Sequence, residues 1–539
     1  MYDDPNMNNE TFPKFSTHTR RHDLTKLKNT REVFDLLIVG GGITGAATAR
    51  DAALRGLKVL LVEKGDFASG TSSRSSKLVH GGVRYLEQFE LGLVMESTEE
   101  RARLWRLAPQ LVTPIPFLFP AYKNSRVPLW QLSIGLWMYD ILALFRTPGL
   151  HKTYFKKRCL KEEPAMAQDG LVGAQFYWDG ATDDSLITLA NIIDARAAGA
   201  TCVSRVKCGE IQFEDSPTGE AHSAAFTDES TGESWTSLFR SVVFATGPWT
   251  DIALKGCAPT LPFPKLMQAT RGSHIVVRKE VLPAKHAVVM THPDDGRVLF
   301  AIPWSDFTVV GTTDLFDSDS PDNTKITSEE VDYLIESSLH YFPHHPIKRT
   351  DIVSTWSGLR PLVAPDNDGE GASEISRDHY LEWREPGAIV ITGGKLTTHR
   401  EMAAQTVDML LRQSSAWPVG LGVGFSPCPT LERAFPKIAF PLDSDKHDSS
   451  PKLGDSEASQ FTPEDARCIL ATQMVLSIED FCVRRTQLFY KESDNGLSVL
   501  EKLKPIFLEE LSWQEEDWET SIKAYKTYID INVNTPLKK

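Results

Sequence analysis

The sequence predicts an α/β fold, α+β overall: a Rossmann-like nucleotide-binding domain carrying an inserted antiparallel-sheet domain, followed by a C-terminal helical domain. Three observations lead there. A strand, a glycine turn, a helix and a second strand succeed one another over residues 34–63. The runs HIVVRK, HAVVMT, RVLFAIPW and FTVVGTTD recur between 274 and 314 at the spacing of sheet strands. Residues 461–528 carry a helical apolar period with charged outer faces. A chain of 539 residues exceeds one ordinary core, so two or three domains are expected.

The first stretch, FDLLIVGGGITGAATARDAALRGLKVLLVE, places Gly40, Gly42 and Gly45 at the spacing G-x-G-x-x-G. Gly40 allows the tight turn, Gly42 lets backbone approach a pyrophosphate, and Gly45 lets the helix pack close to the strand. The helix start then offers unpaired N–H groups to phosphate. Glu63 ends the second strand, where a carboxylate accepts from a ribose diol and repels a 2′-phosphate. At this point FAD and NAD both remain open.

Composition narrows the class. A hydrophobic content of 41% with 24% charged residues is that of a soluble globular protein. The net charge of −14 argues against nucleic acid. Seven scattered cysteines, never C-x-x-C, suggest a reducing compartment without disulfides or a structural metal site. Residues 1–31 are polar and read as a flexible tail. Residues 127–145, VPLWQLSIGLWMYDILALF, approach spanning length but contain Pro128, Gln131, Gly135 and Asp140, so an interfacial or buried helix is expected instead of a membrane span.

Beyond Glu63 comes a Ser/Thr/Gly loop in which Gly81 and Gly82 permit backbone to approach a planar ligand. Asp183 and Asp184 precede a helical stretch, and capping explains both by default. SVVFATGPWT is a strand leading to Gly247, and AIVITGGKLTTHR is a strand, a glycine turn at Gly394 and a helix. The expected division is a cofactor domain of 32–110, 170–260 and 346–412, a substrate domain of 111–169 and 261–345, a linker over 413–460, and a helical domain over 461–539. Gly394-Lys395 is not a P-loop, because Leu396 stands where Ser or Thr is required and Ile389 at the first glycine. Pro321 and Asp322 spoil a calcium loop in the acidic run 317–330.

Taken in order, SSRSSKLVHGGVRYLE, ATGPW, RGSHIVV, IPW, GTTD, SGLRPL and GGKLTTHRE, with the dinucleotide motif before them, resemble the FAD-dependent glycerol-3-phosphate dehydrogenases. The resemblance covers residues 33–410, with an echo in IEDFCVRRTQLFY. It implies FAD as cofactor, sn-glycerol 3-phosphate as substrate and a membrane quinone as electron acceptor. It also implies a peripheral place on the cytoplasmic face of the inner membrane and allows a homodimer. The substrate pocket it implies comprises Arg84, Tyr85, His274, Arg360, Arg377 and Lys395, with His274 as proton acceptor and Arg360 and Arg377 on the phosphate. The flavin would follow Ser72, Ser73, Lys77, Leu78, His80 and Gly81, with Val206 at the adenine and Gly247 and Gly394 approaching from other strands. Alternatives are an oxidase of the same substrate using O2, an amino-acid or sarcosine-type oxidase, and a flavin-binding scaffold. The chain departs from the family at Asp183-Asp184-Ser185-Leu186, which lacks an arginine, and at Phe244.

Overall fold

The computed structural model describes residues 14–87, 89–214, 221–317, 319–364, 378–413, 428–438 and 461–538. Two sheets organise them. The first has a parallel core in which Val33–Val39 lies between Ser234–Phe244 and Val59–Val62, with Ala388–Gly393 and Thr201–Val203 continuing it outward. Antiparallel strands extend it, His379–Arg384 at one end and the pair Val206–Gln212 and His222–Asp228 beside Ser234–Phe244. The helices Ile43–Leu54, Asp184–Ala197 and His399–Gln413 contribute to one apolar layer against this sheet. Leu36, Leu37 and Ile38 are fully buried, as strands covered on both faces require.

The second sheet has ten strands and is antiparallel except where Ala287–Thr291 runs parallel to Val112–Tyr122. Its centre for function is Thr270–Arg278, flanked by Phe307–Gly311 and Ile352–Arg360. The four strand-like runs of the sequence become Thr270–Arg278, Ala287–Thr291, Val298–Trp304 and Phe307–Gly311. Three segments cross the expected boundaries. Leu78–Val79, Leu171–Thr182 and Ile352–Arg360, assigned from sequence to the cofactor domain, are strands of the second sheet: Leu171–Thr182 pairs with Leu78–Val79 and Val112–Tyr122, and Ile352–Arg360 with Thr270–Arg278. Sequence spacing shows that a strand exists but not which edge it joins.

The polar N-terminal stretch is also more ordered than expected. Residues 1–13 lie outside the described residues, but Thr17–Asn29 is a helix. Leu24 and Leu27 are buried, Arg20 forms a buried ion pair with Asp228 at 2.7 Å, and Phe15 exchanges backbone hydrogen bonds with Ala471 and Met474. A few anchors suffice to dock a segment whose average composition is hydrophilic. Within the supposed linker, residues 428–438 are likewise fixed. Arg433 pairs with Asp194, Thr430 donates to Asp51, and Phe435 is buried. The rest of 414–460 is outside the described residues.

The C-terminal helices pack under the second sheet. Their clasp is the VRR of the IEDFCVRRTQLFY segment. Arg484 and Arg485 both reach the buried Asp66 of the nucleotide-binding domain, at 2.6 and 2.8 Å, and Asp480 bridges Arg484 and Arg205. Attraction to these three arginines holds the Asp480 carboxyl far below its ordinary range against the opposing cost of burial. All seven cysteines are free thiols.

Candidate active site

The cofactor cradle forms at the first strand's end. Gly40 adopts φ +113, and a Cβ there would stand 2.5 Å from the Ala245 carbonyl oxygen. A Cβ on Gly45 would fall well inside the contact distance of the Gly40 carbonyl oxygen, so the helix can sit this close only without a side chain. Gly42 is the N-cap, and a Cβ there would meet only Ser72 Oγ, at 3.2 Å. Ile43 N donates to that hydroxyl at 2.9 Å, which marks the helix N-terminus as a place for an acceptor. Glu63 accepts from Gly41 N at 2.7 Å and Gly65 N at 2.6 Å. Burial raises its pKa against those two hydrogen bonds. Val206 N donates to Glu63 O at 2.8 Å, which brings Val206 beside the acidic strand end. Gly247 lies at φ +52, and its carbonyl accepts from Thr250 at 2.7 Å. A glycine cradle, a helix N-terminus with a hydroxyl and an acidic strand end together fit the ADP half of FAD.

The second cluster lies where the second sheet meets the loop after Glu63. Along the antiparallel pair, His274 faces Trp356, Gly272 faces Gly358 and Thr270 faces Arg360, so all six project to one face of the sheet. The loop lies against that face: Trp356 Nε1 donates to Ser75 O at 3.1 Å, Thr71 donates to Leu359 O at 2.6 Å, and Arg74 backbone fills the space a Gly358 Cβ would need. His274 stacks on Trp356 with centroids 4.6 Å apart, and its Nε2 shares a hydrogen bond with Ser76 Oγ at 2.9 Å. Burial, then the charges of Arg360 and Lys77, drive the His274 pKa well below its ordinary value. The imidazole is therefore neutral at neutral pH, and a proton taken up there works against burial and both cations.

Arg360 is held by Asp314 at 2.9 Å, Thr312 Oγ1 at 3.0 Å and Thr313 O at 3.1 Å. An anionic substrate at this guanidinium shares it with Asp314. Lys395 stands 3.7 Å over the Tyr85 ring, and His80 stacks near the same ring at 6.4 Å. Thr397 ties this group together by donating to His80 O. Gly394, at φ +73, turns the chain between Ala388–Gly393 and His399–Gln413. Arg84 lies in the short turn Val83–Leu86, and Arg377 falls outside the described residues.

Lys77, expected along the flavin, pairs its ammonium with Asp184 at 2.6 Å, near the rings of Trp304, Trp356 and Tyr490. Its neighbours Ser73, Leu78 and Gly81 are buried, and Gly81 N donates to Asp179 at 3.0 Å. The two acids before Asp184–Ala197 also separate. Asp183 caps the helix by accepting from Leu186 N at 2.9 Å, whereas Asp184 accepts from Ser75 N, Ser75 Oγ and Lys77 Nζ. Capping thus accounts for Asp183 alone, because a loop distant in sequence claims Asp184. The sequence gives no reason to single out Ser76, inside SSRSSKLVHGGVRYLE, or Trp356, immediately before SGLRPL, because the partner of each lies on a distant segment.

Comparison with known proteins agrees with this geometry. The family model described as FAD dependent oxidoreductase matches residues 35–407. The chain is 38% identical over 415 residues to the aerobic glycerol-3-phosphate dehydrogenase of Staphylococcus aureus strain USA300, covering 77% of this chain and 72% of that protein. Among solved structures, the glycerol-3-phosphate dehydrogenase from Bacillus halodurans complexed with FAD superposes with a TM-score of 0.74 at 26% identity, covering 96% of this chain and 99% of that one. The L-alpha-glycerophosphate oxidase from Mycoplasma pneumoniae with FAD bound shares the fold, with a TM-score of 0.56 at 20% identity over 70% of this chain and 95% of that one. With a cradle that fits FAD and a family model spanning most of its length, the chain belongs to the FAD dependent oxidoreductase family and takes FAD as its cofactor.

Proposed function

We propose that the enzyme oxidises sn-glycerol 3-phosphate to dihydroxyacetone phosphate and passes the electrons to a membrane quinone. The observation that carries this is the pairing, on one sheet face, of a neutral buried imidazole with an arginine, His274 and Arg360. Oxidation of a secondary alcohol needs a base for the hydroxyl proton, and a phosphate needs a guanidinium. Bound flavin supplies the hydride acceptor. Lys395 and Tyr85 extend the pocket on the side of the Ala388–Gly393 turn, with Arg84 and Arg377 as further phosphate candidates. A carboxylate-and-amine substrate, as in amino-acid oxidases, would not call for this many cations.

The quinone half of the reading rests on one helix. Leu129–Leu142 leaves Trp130, Ile134, Trp137 and Ile141 exposed on a single face, each at 49% or more, with Phe145 and Phe155 beside it. Residues 123–161 hold eight Lys and Arg and one acid, the buried Asp140, in a chain of net charge −14. An apolar face rimmed by cations suits an anionic bilayer surface. Among the described residues no helix is long and apolar enough to cross a membrane.

Anaerobic addition of glycerol 3-phosphate to the purified holoenzyme tests the reaction: the flavin spectrum bleaches. Arg360→Ala raises the substrate concentration for half-reduction by about 30-fold or more, the value of a charge-assisted hydrogen-bond pair. An unchanged concentration removes Arg360 from the phosphate site. Oxygen uptake with peroxide release matching turnover favours the oxidase alternative, whose fold is the same.

A further inference from the structure

We propose that Ser76 relays the hydroxyl proton of the alcohol substrate to His274, an inference that rests on the alcohol oxidation proposed above. The imidazole is 2% exposed and closed in on every side. Trp356 covers one face at an interplanar angle of 14°, and a Cβ on Gly311 would collide with the ring. Nδ1 is buried and has no hydrogen-bond partner. Nε2 meets one group, the Ser76 hydroxyl, and Ser76 itself is half-buried. The hydroxyl is thus the polar group through which an otherwise enclosed base meets its surroundings.

The loop is built to keep that hydroxyl in place. Ser75, on one side of Ser76, gives both its N–H and its hydroxyl to Asp184, at 3.0 and 2.7 Å. Lys77, on the other side, sends its ammonium to the same carboxylate and its N–H to Ser75 Oγ at 3.0 Å. The Ser75 carbonyl accepts from the Trp356 indole, the ring that stacks on His274. Base and relay therefore share one frame, so their separation is fixed before substrate arrives.

The step balances. As the C2 hydrogen leaves with its electron pair for the oxidised flavin, the substrate O–H bond breaks and its proton passes to Ser76 Oγ. The hydroxyl's own proton moves to His274 Nε2. The product is a ketone, the serine ends neutral, and the imidazole carries one positive charge. Burial and the charges of Arg360 and Lys77 disfavour that charge, so the proton then leaves by the same hydroxyl.

The test uses the full-length holoenzyme, wild type beside Ser76→Ala, Ser76→Thr and Ser76→Gly, in anaerobic stopped-flow with glycerol 3-phosphate. Flavin content and the substrate dissociation constant are read alongside the reduction rate and its solvent isotope effect. The relay predicts that Ser76→Ala keeps flavin and substrate affinity within about threefold while reduction slows by about 100-fold, the usual size of general-base assistance. Ser76→Thr, which keeps a hydroxyl, returns to within about tenfold of wild type. Should the alanine protein lose its flavin, Ser76→Gly, which likewise lacks a hydroxyl, carries the same comparison. Reduction of Ser76→Ala at the wild-type rate overturns the relay, as does an equal defect in Ser76→Thr. A wild-type flavin that stays oxidised overturns the proposed function itself, and that outcome is distinct from either.

Discussion

Replacing Gly45 with alanine separates the two jobs of the glycine turn. The new methyl falls inside contact distance of the Gly40 carbonyl oxygen, a backbone atom that cannot rotate away, with the Ala245 methyl 3.4 Å distant. Restoring ordinary contact requires the helix Ile43–Leu54 to retreat by on the order of 1 Å. Overpacking of this kind costs about 1–3 kcal/mol of domain stability. Withdrawing the helix N-terminus from a diphosphate forfeits about 1–2 kcal/mol more, which weakens FAD binding about five- to thirtyfold. Gly42→Ala meets only a hydroxyl at 3.2 Å, so it should weaken FAD binding while leaving apoprotein stability nearly unchanged. Gly56→Ala is the control, since Gly56 sits at φ +90 with nothing within 4 Å of a Cβ: backbone strain alone lowers stability there and FAD affinity holds. Flavin titration of apoprotein followed by fluorescence, together with urea melts, reads both quantities. The reasoning is refuted if Gly45→Ala binds FAD like wild type, or if Gly56→Ala loses as much affinity.

Three other perturbations test the surrounding structure. Asp66→Asn leaves Arg484 and Arg485 buried without their shared carboxylate, so opening of 480–485 becomes easier by about 3–5 kcal/mol, and hydrogen exchange there accelerates at least a hundredfold. His399 is fully buried, and burial pushes it down to about 4 while the Leu396 carbonyl opposes with a hydrogen bond. Because its folded pKa lies below the unfolded value near 6.5, the unfolded chain binds the extra proton first. Stability therefore falls as pH drops from about 6.5 toward 4, by about 3 kcal/mol in all, and His399→Gln flattens that slope in pH-dependent denaturation. Trp137→Glu with Ile141→Glu should abolish cosedimentation with vesicles of anionic lipid and leave bleaching by glycerol 3-phosphate intact; retained vesicle binding would place the membrane contact elsewhere.

How much of this could be read beforehand depended on the range of the interaction. The glycine cradle was legible because its spacing is local, with Gly45 acting on Gly40 and Gly42 capping the first turn, although Gly40 also lies against the distant Ala245. The site's chemistry was half legible. His274 and Arg360 stood in distinctive segments, yet their common face comes from the register of Thr270–Arg278 against Ile352–Arg360, which local pattern does not encode. Asp184 looked like a helix cap because its true partners, Ser75 and Lys77, lie more than a hundred residues away. Thr17–Asn29 was missed for the same reason: its hydrophilic average conceals Phe15, Arg20, Leu24 and Leu27, whose partners are remote.

That N-terminal helix also sets an order of events. Phe15 receives backbone hydrogen bonds from, and gives them to, residues of the last helical domain. Residues 15–29 therefore complete their contacts only once Ala471 and Met474 are in place. The nucleotide-binding sheet also needs Ala388–Gly393 beside Ser234–Phe244 to complete its parallel core. A chain made as far as Phe244 and not yet as far as Ala388 therefore presents an unpaired strand edge, the kind of surface on which partly folded chains associate.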